Sequence, residues 1–565
     1  MNALFLLLAA LVAFVFGYRF YSRLLSLGVF RLENNYSIPT PDSPPREDHL
    51  RLKRHLIFGH HLASLAAGAA IMGSVISLLW GWIPAFLWVV VGTVIAAGTY
   101  GLGSLWLSLR YPGLNMAEIA ASLLGHPAHI LFALFAFLLL LILNAACATL
   151  AAQLLSAYPQ AVLPFWVIVV LAYVLGGYLR GHENFKFIPA SLIALTLSLM
   201  AIWLLGKFPL AFTGTLNLET SGSFVTFDAN VLWVLLLFLY GYHATRLPMW
   251  KLIRPRGYLT ALLLGILLFV CYLAVVINHP KLVAPEFHAG PDIPATLPWL
   301  FITLTSGAVA GVHLLIANGI TARQMKRETD ARYIGYGGAL ALGLLALSAI
   351  IIGSTGFADT TEWAQHYASW EGVRDLRQAF DLYINGCARL ADGIGLNPSL
   401  ARTLAAVVMI GLLIATLEAG LRVQKHLLTG VTERFPSLYF LPGKERTQIV
   451  SVVILSAVLA LHQPHGLGGL TWWPLFGMAD LMLAVLGFSL LAVALRQSGK
   501  PTIWVVAPLI FMAIAAHWAM AAMISHWWSG NEMLLLMLGT VLLAVEIGLI
   551  LLALRSWKTA ASSAI

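Results

Sequence analysis

The chain has 565 residues, of which 60% are hydrophobic and only 10% charged, and its mean hydropathy is +0.86. This composition excludes a soluble globular protein, whose core could not enclose so much apolar surface, and it indicates a polytopic membrane protein. The formal net charge of +9 comes from short basic clusters between apolar runs, which is a topology signal and not a nucleic-acid-binding surface.

Fifteen apolar segments are each long enough to span about 30 Å of hydrocarbon, so the predicted fold class is an all-α polytopic membrane protein. They lie near 2–22, 60–80, 84–109, 128–150, 162–180, 187–206, 229–245, 259–278, 298–320, 334–356, 399–420, 447–463, 471–495, 502–524 and 532–554. The first is interpreted as a retained helix, because it lacks the basic start and the cleavage site of a signal peptide.

The basic residues predict the orientation. With the N-terminus outside, 27 of the 33 Lys and Arg residues fall on the cytoplasmic side and 6 outside. The C-terminus is then cytoplasmic, and the proline-rich, charged connection 31–54 is an extended cytoplasmic segment. The long connection 357–398 lies outside. It is predicted to form one or two amphipathic helices on the membrane surface, as a candidate lid.

The stretch 305–338 carries small and polar residues where a lipid-facing helix would carry Leu and Val. On a helix, one broad side is formed by Ser306, Gly307, Ala310, Gly311, His313, Ala317 and Asn318. Such a side faces protein or water. His313 lies mid-span on it, either as part of a functional site or as a hydrogen bond between helices.

Three acidic residues, Glu418, Asp480 and Glu546, lie within apolar segments. An acid at a helix centre costs about 2.5–3.5 kcal/mol on insertion, so each is expected to be paired, protonated or in contact with water. Glu418 precedes Arg422 by one helical turn, which is explained either by a simple ion pair or by a role in proton coupling. Glu546 is interpreted as a helix-packing or oligomer contact.

Several short sequence motifs occur along the chain in a recognisable order. They are FGHH at 58–61 followed by small residues at 66–70, LPMW at 247–250 with PRGYL at 255–259, SGAVAGVHLLIANGITARQM from Ser306, ETDARYIGYGG from Glu328, ATLEAGLR at 415–422 and WPLFGMAD at 473–480. With these runs the chain resembles the carbon starvation protein A (CstA) family of membrane transporters over roughly residues 55–500.

The resemblance implies a core of two inverted five-helix repeats, like that of LeuT/APC-type transporters, with extra flanking helices. Residues 60–206 would form the first repeat and 229–420 the second, which includes the external loop 357–398. Residues 1–59 would hold the N-terminal helix and the cytoplasmic segment, and 447–565 the C-terminal helices. The implied function is proton-coupled uptake of pyruvate, another short carboxylate or short peptides across a bacterial inner membrane, with no enzymatic activity.

Inverted repeats predict helix breaks at matching places. Gly68 and Gly73 either break the first helix or let another helix approach closely, and the run from Tyr240 to His243 is the matching break in the second repeat, or else an interfacial belt. The predicted substrate-binding residues are Gly68, Gly73, Ser74, Tyr240, Gly241, Tyr242, His243, Ser306, His313 and Asn318. The predicted proton-coupling residues are Glu418, His313 and Asp480.

The expected partners are a small solute, a coupling proton and the lipid bilayer. Sodium is the alternative ion, with hydroxyls of Thr305 and Ser306 as ligands. No cofactor, metal or nucleic acid is expected, and a homo-oligomer or a small accessory protein is left open. Two alternatives to transport remain: a haem- or metal-bearing redox subunit, suggested by 17 histidines, and a nutrient sensor that binds its solute without moving it.

Overall fold

The structure is a computed structural model that describes residues 1–33, 53–66, 68–181, 187–212, 218–220, 223–225, 228–308, 310–435 and 444–562. Nearly all of these residues are helical. Two short antiparallel strands, in which Leu218 pairs with Val225, form a two-stranded sheet.

The first part of the chain runs as far as the helix that ends at Asn278. Its elements are α1 (Ala3–Val29), α2 (Arg54–Leu65), α3 (Ala69–Trp80), α4 (Trp82–Arg110), α5 (Met116–Leu124), α6 (Pro127–Ala157), α7 (Pro159–Gly181), α8 (Phe187–Leu205), β1 (Leu218–Thr220), β2 (Ser223–Val225), α9 (Ala229–Arg246) and α10 (Ile253–Asn278).

The second part contains several short helices and several long ones. Its elements are α11 (Thr296–Ala308), α12 (Val312–Ile316), α13 (Arg332–Thr355), α14 (Thr360–His366), α15 (Trp370–Val373), α16 (Leu376–Asp392), α17 (Pro398–Arg434), α18 (Glu445–Leu461), α19 (Gly468–Thr471), α20 (Trp473–Gln497), α21 (Ile503–Ser529) and α22 (Met533–Ser562). A π-helical turn, Ala317–Thr321, and a 3-10 turn, Ala322–Gln324, prolong α12.

Side-chain caps fix where several helices begin. Asn397 accepts hydrogen bonds from the Ser399 and Leu400 amides at the start of α17. Asn115 and Glu118 form a capping box at the start of α5. These caps satisfy amide groups that have no partner within the helix, and they end the preceding loops at defined residues.

Among the described residues, eleven helices are long and apolar enough to cross a membrane, or up to twelve if the bent pair α2 and α3 is one span. The protein is therefore an integral membrane protein of the all-helical class. Helices are present in all fifteen predicted segments, but the count of fifteen spans is not confirmed. The other three segments correspond to α9, the broken pair α11 and α12, and α18, which has only 17 residues.

The centre of the bundle is formed by α17 and α20, whose most apolar stretches are wholly buried by protein. Helices that are hydrophobic all round belong in such a position. In contrast, α1, α8, α21 and α22 bury only about a third of theirs and keep a row of large apolar side chains exposed, as a lipid-facing helix does.

The connection 357–398, which is predicted to lie outside, packs differently from the prediction. It forms α14, α15 and α16, and α16 is amphipathic as expected. However, its apolar side, including Phe380 and Tyr383, is buried against the bundle, and the Tyr383 hydroxyl contacts the Ser348 hydroxyl at 2.9 Å. The prediction that the apolar side of this connection rests on the membrane is therefore wrong for α16, because protein covers that side.

Candidate functional site

The first predicted helix break is a bend of 50° between α2 and α3. Gly68 is the N-cap residue that precedes α3, and its φ of +73° is a left-handed conformation that favours glycine. A Cβ at this position would overlap the ring of Phe380 from α16. Gly73 has a different role. It lies inside α3, where a Cβ would overlap the Thr303 carbonyl oxygen of α11, so it permits close helix packing. Ser74 is buried beside it.

A second break separates α11 from α12, inside the small and polar stretch that begins at Thr305. One oxygen of Asp480, from α20, accepts a hydrogen bond from the Val312 amide at 2.8 Å. The Tyr100 hydroxyl of α4 donates to the Gly311 carbonyl at 3.1 Å. Asp480 therefore holds the start of α12, and the structure gives this predicted coupling residue a direct contact with the broken segment. The side chain of Ser306 lies outside the described residues.

Two buried histidines join the two broken segments. His61, near the end of α2, and His313, in α12, place their Nε2 atoms 3.0 Å apart. The other ring nitrogen of His61, Nδ1, lies 2.8 Å from the Thr321 hydroxyl. A hydrogen bond between two Nε2 atoms requires that one carries a proton and the other does not, so the pair is a donor and an acceptor in contact.

His61 was missed as a site residue, although the FGHH run contains it. Its neighbour His60 faces the opposite way, towards α10, where a Cβ on Gly257 would lie 2.7 Å from the His60 Nδ1 atom. Two adjacent histidines on one helix therefore contact two different parts of the bundle. Only the fold distinguishes the one that meets His313.

The predicted break at residues 240–243 is wrong, because α9 runs without interruption from Ala229 to Arg246. Of its four residues, Tyr240 points inward and donates its hydroxyl to the Glu418 carboxylate. Gly241 is buried next to Leu421, whereas the Tyr242 side chain contacts Arg246 on the same helix and His243 is exposed. The aromatic and imidazole groups therefore do not close together over one site.

Glu418 is paired with Arg256 of α10 and not with Arg422, the partner one turn away. The Arg256 Nε atom lies 2.9 Å from Oε1 of Glu418, and its Nη2 atom lies 2.6 Å from Oε2. Both side chains are fully buried. Arg422 instead donates to the Thr245 carbonyl at 3.0 Å and to the Leu247 carbonyl. Arg256 was missed, although the PRGYL run contains it.

Four of the predicted residues, His313, Asp480, Tyr240 and Glu418, thus belong to two polar clusters on either side of α2. The first, the histidine cluster, contains His61, His313, Thr321, Tyr100 and Asp480. The second, the ion-pair cluster, contains Tyr240, Arg256 and Glu418. The Thr416 hydroxyl of α17 donates to the Ser64 carbonyl of α2 at 3.0 Å, which fixes the helix that separates them.

Asn318 lies one turn beyond His313, and its amide nitrogen donates to the Leu114 carbonyl at 3.2 Å. Leu114 is flanked by Gly113 and Asn115, which line a polar cavity of about 540 Å³ at the ends of α9, α17 and α18. Near the same end, the Glu328 carboxylate pairs with Arg110 at 2.7 Å, and burial raises the pKa of the Glu328 carboxyl.

The histidine pairs that suggested a cofactor have protein partners. His465 lies 2.6 Å from the Asp228 carboxylate, and the His462 Nδ1 atom lies 2.8 Å from the Leu459 carbonyl. The His126 ring lies 3.2 Å from the Arg434 guanidinium. Within the described part of the chain, no three His, Cys, Asp or Glu side chains are grouped as metal ligands.

A family model described as carbon starvation protein CstA matches residues 2–365 and 358–519. The peptide transporter CstA of Mycobacterium tuberculosis (strain ATCC 25618 / H37Rv) is 26% identical, with 88% of this chain and 72% of the relative covered. The peptide transporter CstA of Escherichia coli (strain K12) is also 26% identical, with 92% and 81% covered. The pyruvate/proton symporter BtsT of the same strain is 29% identical, with 62% and 49% covered.

Among solved structures, the chain is similar to the manganese transporter of Eremococcus coleocola, with 15% identity and a TM-score of 0.39. The similarity covers 94% of this chain and all of the other.

Proposed function

The chain belongs to the carbon starvation protein CstA family, and we propose that it takes up pyruvate, another short carboxylate or short peptides by proton symport. It is a membrane transporter and not an enzyme, as its relatives are by name. They support neither the redox alternative nor the sensor alternative. The observation that carries the proposal of proton coupling is the buried contact between His61 and His313, which joins the two broken segments.

Broken helices serve transport because they leave backbone groups without partners inside the membrane, where a solute or an ion can use them. This protein has two breaks, one between α2 and α3 and one between α11 and α12, and at the second break Tyr100 and Asp480 of the histidine cluster bind the Gly311 carbonyl and the Val312 amide. We place the solute between the two breaks, with Ser74, Ser306 and His313 as its polar contacts. Gly73, Gly241 and Asn318 support the surrounding packing, and Tyr240 supports it through Glu418.

A coupling residue must bind a proton in one state and release it in the other. The two histidines can share one added proton in a charge-assisted hydrogen bond, whereas a second proton would put like charges about 3 Å apart. We therefore propose His313, with His61, as the first candidate, and Glu418 and Asp480 as the others. For Glu418 to act, its pair with Arg256 must open during the cycle, since protonation removes the charge that holds the pair.

We further propose two inverted five-helix repeats, 60–206 and 229–420, with the N-terminus outside and the C-terminus in the cytoplasm of a bacterial cell. The charge bias supports this orientation, and the four spans between the first helices of the two units make those two helices run in opposite directions. Because α9 is continuous, the first helix of the second unit lacks the break that the first helix of the first unit has.

A labelling experiment tests the orientation. Thr360 and Lys326 are both exposed and lie beyond opposite ends of α13. A cysteine that replaces Thr360 is expected to react with an impermeant thiol reagent in intact cells, and one that replaces Lys326 only after lysis. The three native cysteines are buried, which keeps the background low. The reverse pattern would contradict the orientation and the repeat assignment together.

Uptake by purified protein in proteoliposomes tests the function. An inward proton gradient is expected to drive accumulation of pyruvate or trialanine, and a sodium gradient alone is not. Gly73→Leu is expected to abolish uptake, because the new side chain forces α3 away from α11. Glu546→Gln, on the peripheral helix α22, is the control expected to retain it. A strict sodium requirement would reject proton coupling. Full activity of Gly73→Leu would show that the solute binds elsewhere in the protein.

A further inference from the structure

Thr321 lies beside the histidine pair, eight residues beyond His313 in the chain. On a regular α-helix, eight residues place two side chains about 80° apart around the axis. Here the π-helical turn Ala317–Thr321 intervenes, and each of its residues rotates by a smaller angle about the axis. The turn therefore brings Thr321 closer to the side of His313, and its hydroxyl lies 2.8 Å from Nδ1 of His61.

The neutral pair allows two arrangements of its hydrogen atoms. Each neutral imidazole has one nitrogen that donates and one that accepts. If the Thr321 hydroxyl donates to Nδ1 of His61, Nε2 of His61 donates to Nε2 of His313. If Nδ1 of His61 carries the hydrogen instead, it donates to Thr321, and His313 donates to His61. A hydroxyl serves in either arrangement, since it holds one hydrogen and two lone pairs.

One added proton leaves a single arrangement on the side of Thr321. The added proton lies between the two Nε2 atoms, which are 3.0 Å apart. Wherever it lies between them, Nδ1 of His61 carries a hydrogen and has to donate it. Thr321 is then the acceptor, and its own hydrogen can turn to the Ile316 carbonyl, 3.5 Å away. The hydroxyl thus changes from donor to acceptor without any movement of the two rings.

Burial makes this acceptor necessary. The side chains of His61, His313 and Thr321 are each at most 3% exposed. A buried N–H group without an acceptor costs free energy, and the cost is larger for a charged group. Among the described residues, Thr321 is the hydrogen-bond partner of the Nδ1 atom of His61. The pair that holds the added proton therefore depends on the Thr321 hydroxyl more than the neutral pair does.

Other titratable groups face the pair from neighbouring helices. The Tyr100 ring of α4 lies 6.2 Å from the His313 ring, and Asp480 of α20 binds the amide next to His313. From α13, the pair meets Gly338, which has no charge. On α2 itself, His60 faces the other way, towards the guanidinium groups of Arg254, Arg256 and Arg422. In the described part of the chain, none of these groups is hydrogen-bonded to the Nδ1 atom that the hydroxyl contacts.

We propose that Thr321 is a positioning residue for the coupling proton. Its hydroxyl accepts a hydrogen bond from Nδ1 of His61 when the pair holds the proton, and so it raises the affinity of the pair for that proton. The inference rests on the proposed function, in which this pair carries the coupling proton. Thr321 and His313 belong to one broken segment and His61 to the other. A shift of one segment against the other therefore breaks both contacts of His61 and releases the proton.

The pH profile of uptake by the full-length protein in proteoliposomes tests the inference, at a constant pH difference across the membrane. Thr321→Val keeps the shape of the side chain and removes the hydroxyl. The midpoint pH for accumulation of pyruvate, or of trialanine if that is the solute, is expected to fall by about one to two units, because the proton-loaded pair loses a hydrogen bond to a charged group. Thr321→Ser should keep the wild-type midpoint. Thr355→Val is the matched control, since the Thr355 hydroxyl donates to the Ile351 carbonyl of its own helix, α13.

Nitrogen NMR of histidine-labelled protein in detergent follows the protonation of His61 without transport, with His61→Gln to assign its signals. Thr321→Val should lower the midpoint of this titration by the same amount, and Thr355→Val should leave it unchanged. Thr321→Cys, whose sulfur is a weak acceptor, is the second variant if valine prevents folding, and it should lower the midpoint as well.

An unchanged midpoint in Thr321→Val, or an equal fall in Thr321→Ser, would overturn the inference. So would a wild-type His61 that does not titrate while the protein stays folded. If the wild type accumulates neither solute, or requires sodium, while Thr321→Val still lowers the His61 midpoint, the proposed function fails and the role of Thr321 in holding the proton on the pair remains. If wild-type uptake is driven by protons while Thr321→Val titrates like the wild type, only the role of Thr321 fails.

Discussion

Replacing Arg256 by methionine is expected to destabilise the protein by about 3–5 kcal/mol, the usual cost of removing one partner from a buried ion pair. Both side chains of the pair are fully buried, and two nitrogen atoms of Arg256 contact the two oxygens of Glu418. Without the guanidinium, the carboxylate keeps the Tyr240 hydroxyl as a partner but loses its counter-charge. The midpoint of thermal unfolding in detergent should therefore fall sharply.

The double substitution Arg256→Met with Glu418→Met is the decisive control. It removes both charges, so it should be much less destabilising than the sum of the two single substitutions. Lys251→Met is the matched surface control, since Lys251 is partly exposed and stacks on Tyr173. Additive losses in the double variant, or an unchanged midpoint for Arg256→Met, would contradict a buried pair between these residues.

His313→Gln is expected to abolish accumulation of solute against its gradient while solute exchange continues. Glutamine keeps a hydrogen-bonding side chain next to His61, but it cannot hold the added proton. Exchange needs only solute binding and the conformational change, whereas accumulation also needs proton movement. Proteoliposomes loaded with unlabelled pyruvate measure exchange, and an imposed pH gradient measures accumulation. His61→Gln should behave in the same way.

The same assay ranks the other candidates. His517→Gln is the control, because this partly exposed histidine lies near Glu546 on the peripheral helices α21 and α22. Glu418→Gln should retain exchange and lose accumulation only if Glu418 carries the proton, and its loss of stability has to be measured alongside. Proton-driven accumulation at the wild-type level by both His313→Gln and His61→Gln would remove the histidine pair from the coupling role.

The membrane class and the positions of the helices could be predicted from the sequence, because both depend on local runs of residues. A run of about twenty apolar residues satisfies its own backbone hydrogen bonds as a helix wherever it lies in the bilayer. The break at Gly68 was also accessible, since glycine is the residue that adopts a left-handed φ without a steric cost. The family motifs pointed to the same regions, including FGHH and PRGYL.

Contacts between residues far apart in the chain could not be predicted from such local runs. Glu418 has Arg422 one turn away, which makes that pair the natural choice, yet the structure selects Arg256, 162 residues away. The carbonyls at the end of α9 bind Arg422 and so compete with the local pair. The rotation of α2 in the bundle likewise decides which of the two neighbouring histidines contacts His313.

The sequence by itself determined that this chain is a helical membrane protein, where most of its helices lie and which motifs carry its chemistry. Only the tertiary structure decided that α9 is continuous, that α16 packs into the bundle and that the histidines of two broken segments touch. Hydropathy and glycine content act within one or two helical turns. The choice among alternative buried contacts depends instead on packing and charge compensation between helices that are distant in the chain, and no local pattern records that choice.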